Sequence, residues 1–128
     1  MKEKILIALN DSNLTDALLS RLVNDGYILD ISKDGNDVIS KLKEFKPGLL
    51  LIDTVLPNKS GYDILNEKSF DKDVTKIPVL VISNSGTVFE MNRVPSTPVM
   101  KGYIINTHID PEEVAKKVKE IFGVNTSS

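Results

Sequence analysis

The chain has 128 residues, a formal net charge of -2 and no cysteine. This length suits one domain with a single core, and without cysteine neither a disulfide nor a thiolate metal site is available. Acidic and basic residues are interspersed, so the sequence offers no basic surface for nucleic acid, and no apolar run approaches the roughly 20 residues that span a bilayer. We therefore expect one cytoplasmic domain over residues 1–124 and a disordered tail over residues 125–128, with no direct contact to nucleic acid or membrane.

Hydrophobic periodicity predicts strands that alternate with helices along the whole chain. Short apolar runs predict buried strands, and apolar residues at every third or fourth position predict amphipathic helices. The predicted strands are residues 4–9, 27–32, 49–52, 77–82 and 102–106, and the predicted helices are residues 12–24, 36–45, 62–68 and 110–122. This alternation is typical of a doubly wound α/β fold, in which helices cover both faces of a parallel sheet.

One segment, Thr87 to Lys101, departs from this alternation. A fourth helix is expected there, but Asn92, Pro95 and Pro98 interrupt it, and a proline inside a helix costs about 3 kcal/mol. We therefore predict at most two helical turns over residues 88–93, followed by irregular chain up to residue 101.

Polar side chains follow two of the apolar strands at the point where each ends. Asp53 comes directly after the strand over residues 49–52, and Asn10 and Asp11 follow the first strand. A flavodoxin-like sheet of order 2-1-3-4-5 makes the first and third strands neighbours, so these side chains would converge at a ligand-binding crevice. Two carboxylates there repel each other, so the sequence predicts either a protonated acid or a bound hard cation such as Mg²⁺.

The loop after the third strand resembles the phosphoacceptor loop of response regulator receiver domains. Asp53 is followed by Leu56, Pro57 and Gly61 at the spacing of that family, and the resemblance extends from Lys4 to Phe122. It implies a flavodoxin-like (βα)5 fold and a stand-alone, atypical receiver of a two-component phosphorelay. It also implies that Asp53 accepts a phosphoryl group from a histidine kinase.

The resemblance implies a metal site and a phosphoryl site around Asp53. Mg²⁺, with Mn²⁺ or Ca²⁺ as substitutes, would be held by Asp11, Asp53 and the backbone carbonyl of Val55, with Asn10 beside them. In the family a hydroxyl residue at the end of the fourth strand bonds the phosphoryl group, and a switch aromatic lies in the fifth strand. The matching residues are Ser83, as both catalytic and switch residue, and Tyr103, although a capping serine and a half-buried strand aromatic are open alternatives.

The sequence departs from the family pattern in two places. Asn10 replaces one of two acids after the first strand, and Asn106 and Thr107 replace a Lys and a Pro after the fifth strand. Asn106 is the residue at the catalytic lysine position, and its lack of charge offsets the acid missing at Asn10. Lys59 and Lys101 are candidate substitutes for the lysine, but each is more typical of a solvated surface side chain.

Several functions remain open at this point. The first is a phosphorylation-controlled receiver that meets a sensor histidine kinase or phosphotransfer protein and a downstream protein target, as a monomer or weak homodimer. The alternative is a pseudo-receiver that binds partners without phosphate. An enzyme is not expected, beyond self-catalysed phosphoryl transfer and slow autodephosphorylation. A haloacid-dehalogenase phosphatase would need an acid where Val55 stands, and residues 10–15 lack the glycine of a flavin-phosphate loop.

Overall fold

The computed structural model describes residues 2–83, 93–95, 97–106 and 108–123. Five parallel strands form one sheet in the order β2-β1-β3-β4-β5. The strands are β1 Lys4–Ala8, β2 Ile28–Ile31, β3 Leu49–Ile52, β4 Val79–Ser83 and β5 Met100–Ile105. The predicted fold class and strand order are therefore confirmed. β2, predicted to lie near an edge because of its mixed polarity, is an edge strand.

Helices cover both faces of this sheet. They are α1 Ser12–Asn24, α2 Val38–Phe45, α3 Gly61–Phe70 and α4 Pro111–Ile121. Buried side chains of α1 and α4 share one core cluster with alternate strand residues, and those of α2 and α3 share a second cluster with the other strand residues. The central strands β1, β3 and β4 are therefore apolar on both faces, which explains their uninterrupted hydrophobic runs. Within the described residues, none of the helices has both the length and the apolar content needed to cross a bilayer.

Helix boundaries follow the capping chemistry of the sequence, with small differences from prediction. Asp11 and Asp110 cap α1 and α4 through their side chains, and Ser60 caps α3 in the same way. The predicted second helix begins instead with a 3-10 turn over Gly35–Asp37. It ends at Phe45, as predicted, and the next residue, Lys46, has a left-handed conformation with φ of 51°. α3 continues two residues beyond the predicted end, to Phe70.

β5 begins earlier than predicted. The chain was expected to be irregular up to residue 101, but Met100 and Lys101 already belong to the strand. The register shifts between Val79 and Leu80, which pair with Met100 and Gly102, so Lys101 forms a bulge. This extra residue places both Met100 and Tyr103 on the face with α2 and α3.

Two predictions fall on residues that the structure does not describe. The two-turn helix over residues 88–93 lies outside the described residues except for its last position. The disordered tail over residues 125–128 lies outside them as well.

Candidate functional site

The carboxyl edge of the sheet brings the predicted site residues to one end of the molecule. Ala8 pairs with Ile52, and the amide of Asp53 donates to the Ala8 carbonyl at 3.0 Å. β4 lies on the other side of β3 and ends at Ser83. β5 ends just before Asn106, whose backbone amide donates to the Ser83 carbonyl at 3.1 Å. The carboxyl ends of β1, β3, β4 and β5 therefore lie next to one another along one edge of the sheet.

Asp53 is a buried carboxylate, with 3% of its surface exposed. Burial raises its pKa, and the neighbouring Asp11 carboxylate adds to this rise. Hydrogen bonds from the Val55 and Thr54 backbone and from the Thr54 side chain act in the opposite direction. The Val55 amide donates to Asp53 Oδ1 at 3.0 Å. Asp53 is thus held in a defined orientation at a site that favours neutralisation of its charge.

Asp11 lies within electrostatic range of Asp53, because its charge contributes to the raised pKa of that carboxyl group. Its Oδ1 also accepts the Leu14 amide at 3.0 Å as the cap of α1, which fixes the side chain at the start of the helix. Asp11 is partly buried, whereas the preceding Asn10 is exposed. The predicted convergence therefore holds for the two acids, and Asn10 lies on the surface beside them.

Ser83 and Asn106 differ in their exposure. Ser83 is 2% exposed at the tip of β4, whereas Asn106 is exposed and its Oδ1 accepts the His108 amide at 3.3 Å. Tyr103 is half-buried in β5 and packs against the core cluster that contains α2 and α3. The hydroxyl and the aromatic side chain are therefore on the strands predicted to carry them, whereas Asn106, predicted as the last residue of the fifth strand, directly follows β5.

The donor set around Asp53 suits a hard cation that keeps part of its water. Asp11 and Asp53 supply carboxylates, and Val55 lies in the loop between Asp53 and α3 with 42% of its surface exposed. Among the described residues no cluster of three or more His, Cys, Asp or Glu side chains could hold a metal. The two carboxylates fit a cation such as Mg²⁺, which prefers oxygen ligands and needs few of them from the protein.

Neither candidate substitute lysine supplies the missing charge. The Lys59 ammonium is bound by the Glu67 carboxylate of α3. Lys101 lies near the amino end of β5, at the opposite edge of the sheet from Asn106. The two positions are five residues apart along extended chain, which is roughly 16 Å. Lys101 is therefore excluded as a replacement for the family's lysine.

Sequence reasoning missed two groups near the site. The Thr54 hydroxyl hydrogen-bonds the Asp53 carboxylate, and Thr54 is 4% exposed. The sequence feature that could have indicated this group is a polar residue, Thr54, directly after Asp53 at the end of an apolar strand. The second group is the loop before α2, where Asp34 and Gly35 contact the loop that follows Asp53. This contact has no signal in hydrophobic periodicity, because it joins two loops.

Comparison with known sequences identifies the family to which this arrangement belongs. The family model described as "Response regulator receiver domain" matches residues 5–119. Response regulator RR06 of Streptococcus pneumoniae is 32% identical over 82 residues, which make up 64% of this chain and 36% of that relative. The match therefore spans little more than a third of the relative's own length.

Two solved structures have the same fold. The phosphorylated cyanobacterial phytochrome response regulator RcpA aligns with a TM-score of 0.78 and 23% identity, over 100% of this chain and 98% of that one. The Mn²⁺-bound form of response regulator Rcp1 aligns with a TM-score of 0.73 and 22% identity, over 98% of this chain and 97% of that one. Because the family model covers most of its length, the chain belongs to the response regulator receiver domains, signalling domains whose general function is phosphorylation-based two-component signalling.

Proposed function

We propose that the chain accepts a phosphoryl group on Asp53 and uses this modification to change a partner-binding surface. The observation that carries the proposal is the pairing of a buried Asp53 with Asp11 at the carboxyl edge of the sheet. A buried carboxylate whose pKa is raised by burial and by a second acid is typical of a functional site rather than of a structural turn.

In the proposed reaction Asp53 is the nucleophile. One of its carboxylate oxygens attacks the phosphorus of a phosphohistidine on a sensor kinase or phosphotransfer protein. The new oxygen-phosphorus bond forms as the phosphorus-nitrogen bond breaks, and the electron pair of the broken bond returns to the departing imidazole. The Val55 amide on Asp53 Oδ1 and the Thr54 hydroxyl keep the carboxylate in one orientation for this attack.

Asp11, Asp53 and the Val55 carbonyl are the residues that would hold a divalent cation, with Mg²⁺ as the expected ion. Such a cation supplies positive charge for the transferring phosphoryl group. The oxygen-only donor set supports this assignment, and a related fold has been solved with Mn²⁺. Asn10 lies next to Asp11 on the surface, where its amide would act through water rather than as a charged ligand.

Ser83, Tyr103 and Asn106 are the proposed route from phosphorylation to a partner. Ser83 would bond a phosphoryl oxygen, and Tyr103 would change its packing in response. Asn106 can donate a hydrogen bond but carries no charge, so it replaces only part of a lysine's contribution. We propose a cytoplasmic domain that signals to a downstream protein as a monomer or weak homodimer.

A pseudo-receiver is the second candidate, and one observation favours it. Lys59 is engaged by Glu67 and Lys101 lies at the far edge of the sheet, so neither provides a cation near Asn106. Loss of a charged hydrogen-bond partner costs about 1.5 to 3 kcal/mol, which slows phosphoryl transfer tenfold or more without abolishing it. With phosphoryl transfer this slow, the chain would bind its partner in the unphosphorylated form, as a pseudo-receiver does.

Acetyl phosphate with Mg²⁺, followed by intact-mass measurement, separates these functions. The proposal predicts a gain of one phosphoryl mass in the wild type that requires Mg²⁺ and is absent in Asp53→Asn. A mass gain that persists in Asp53→Asn would assign the chemistry to another residue. No gain, together with no response of Ser83 and Tyr103 resonances to beryllofluoride and Mg²⁺, would support the pseudo-receiver.

A further inference from the structure

A second loop holds the loop that follows Asp53. The Asn58 side-chain amide donates to Asp34 Oδ2 at 2.7 Å, and the Gly35 amide donates to the Pro57 carbonyl at 2.9 Å. These two bonds link the segment before α2 to the segment before α3. We call Asp34, Gly35, Pro57 and Asn58 the loop clamp.

Two hydrogen bonds other than the one from Asn58 hold Asp34 in place. Its Oδ1 accepts the Asn36 amide at 2.8 Å, and its backbone carbonyl accepts the Ser32 hydroxyl at 3.1 Å. One carboxylate oxygen therefore shapes its own turn, and the other is left to bind Asn58. A charged acceptor makes a hydrogen bond roughly twice as strong as a neutral one.

The two loops approach too closely for any side chain at position 35. A Cβ placed on Gly35 would lie 2.1 Å from the Lys59 carbonyl oxygen. Asn58 itself has a φ of 69°, a conformation that most residues avoid but Asn tolerates. The clamp therefore holds the chain in a conformation that it would adopt less often without the contact to Asp34.

The clamped segment leads directly back to the phosphoacceptor. Between Asp53 and Pro57 lies Val55, whose amide bonds Asp53 Oδ1 at 3.0 Å. At the other end of the loop, the Gly61 amide donates to the Thr54 carbonyl at 2.9 Å. Movement of the loop at Pro57 would therefore displace both the Val55 amide and the Val55 carbonyl.

We propose that Asp34 is a positioning residue for the phosphoacceptor site, which through Asn58 fixes the loop that presents Val55 to Asp53 and to a divalent cation. The inference rests on the proposed function, because it deepens the role of that same site. Asp34 touches neither Asp53 nor a reacting group in this role. It acts only by limiting the conformations of residues 54–60.

Three variants separate the clamp from local folding. Asn58→Gly removes the bond to Asp34 but retains access to a positive φ, and Asp34→Ala removes the acceptor. Asp34→Asn keeps an acceptor oxygen for Asn36, and rotation of the Asn58 amide restores a bond between the two side chains, so this conservative variant should rescue. Asn36→Ala is the matched control, because the exposed Asn36 contributes to the turn through its backbone amide.

The first measurement is amide hydrogen exchange in metal-free protein. Asn58→Gly and Asp34→Ala should speed exchange at Val55 and Gly61 by about tenfold, the effect of one hydrogen bond to a charged group. Exchange at core amides of β1 and β3 should be unchanged, which reports that the variants are folded. If Asp34→Ala fails to fold, Asn58→Gly carries the test. Unchanged exchange at Val55 and Gly61 would overturn the inference.

The second measurement is the dissociation constant of Mn²⁺, from paramagnetic relaxation of nearby resonances. Both clamp variants should bind Mn²⁺ about tenfold more weakly, and the double variant no more weakly than either single one, because both remove the same contact. Faster exchange with unchanged Mn²⁺ affinity would make the clamp purely structural and overturn the inference. If the wild type neither binds Mn²⁺ nor gains phosphoryl mass, the proposed function fails and the inference with it.

Discussion

Gly61 packs directly against the backbone of Asp53, since a Cβ on Gly61 would lie 2.2 Å from the Asp53 carbonyl oxygen and 2.8 Å from Thr54 Cα. Gly61→Ala must therefore displace the start of α3 or the end of β3. Overpacking of this kind costs about 1 to 3 kcal/mol. We expect Gly61→Ala to lower the free energy of unfolding by that amount and to reduce phosphorylation by acetyl phosphate, measured by urea denaturation and intact mass.

Gly26→Ala is the control for this substitution. Gly26 has a φ of 97° and nothing within 4 Å of an added Cβ, so alanine there produces backbone strain without a clash. Gly26→Ala should lower the free energy of unfolding by about 1 kcal/mol and leave phosphorylation unchanged. Equal losses of phosphorylation in both variants would show that stability, rather than contact with Asp53, explains the Gly61 result.

Asp53→Asn should stabilise the metal-free protein. Because burial raises the pKa of Asp53 above its unfolded value of 3.8, the folded state loses stability as pH rises from that value through the raised one. An amide has no such charge and keeps an oxygen for the Val55 amide. We expect Asp53→Asn to have a higher free energy of unfolding than the wild type at neutral pH and to show no such loss of stability between acidic and neutral pH, measured by urea denaturation across this range.

Millimolar Mg²⁺ should reverse this order. The wild type should gain thermal stability from cation binding to its folded state, whereas Asp53→Asn should gain little. A wild type that is already more stable than Asp53→Asn without metal would contradict the unfavourable burial of the charge.

Thr54→Val should shift the pH dependence of phosphorylation. Its hydroxyl hydrogen-bonds the Asp53 carboxylate, and loss of a bond to a charged group costs about 1.5 to 3 kcal/mol. The pKa of Asp53 should rise further, so the rate with acetyl phosphate should fall at acidic pH and converge with the wild-type rate at higher pH. Thr54→Ser should keep the wild-type profile. A uniform loss at every pH would instead indicate a change in packing.

Asn106→Lys should accelerate phosphorylation. It restores a charged donor at the position where the family pattern has lysine, and the expected gain is about tenfold with acetyl phosphate. Asn106→Ala controls for loss of the bond between Asn106 Oδ1 and the His108 amide. Lys101→Met, at the opposite sheet edge, should leave the rate unchanged. If Asn106→Lys has the wild-type rate, the missing charge does not limit the reaction.

Lys68→Met should stabilise the protein at neutral pH. Lys68 is 2% exposed, its ammonium donates to the Thr75 carbonyl at 3.2 Å, and burial lowers its pKa to about 8. The described residues that line the space around it carry no carboxylate. From the pKa difference, the buried charge costs about 3 kcal/mol, and the lost hydrogen bond offsets about 1 kcal/mol, so we expect a net gain of about 2 kcal/mol.

The pH dependence gives the second arm of this test. The unfolded chain holds the Lys68 proton more tightly, so wild-type stability should rise relative to Lys68→Met as pH increases from about 8 to 10.5. The difference between the two proteins, measured by urea denaturation at neutral and alkaline pH, should shrink across that interval. A constant difference would mean that the ammonium is already neutral or well solvated.

The sequence predicted the strands and the place of Asp53 at the end of the third strand because both depend on buried apolar runs. Leu49–Ile52 is apolar on both faces, and Asp53 ends it, so strand, edge and acid follow from one pattern. Lys68 was a miss of a different kind. It follows Ile64 by four residues and so lies on the buried face of α3, but lysine is rarely buried and hydrophobic periodicity does not identify it as a core residue.

Contacts between loops were beyond the same reasoning. Neither the bond from Asn58 to Asp34 nor the close approach of Gly35 to Lys59 is coded by periodicity, because each depends on how two turns meet after the sheet has formed. The early start of β5 was missed for a related reason. Proline frequency predicts an irregular chain, whereas pairing of Met100 with Val79 extends the strand.

The bulge at Lys101 determines on which face of the sheet the Tyr103 side chain lies. Side chains alternate along a strand, so if residues 100–105 paired regularly from Met100 onward, Tyr103 would face α1 and α4, and Ile104 would exchange places with it. Deletion of Lys101 would remove the bulge and leave Tyr103 opposite Val81, so the aromatic ring would stay on the face with α2 and α3. The orientation of the proposed output therefore depends on the strand register at this bulge as much as on the chemistry of Tyr103.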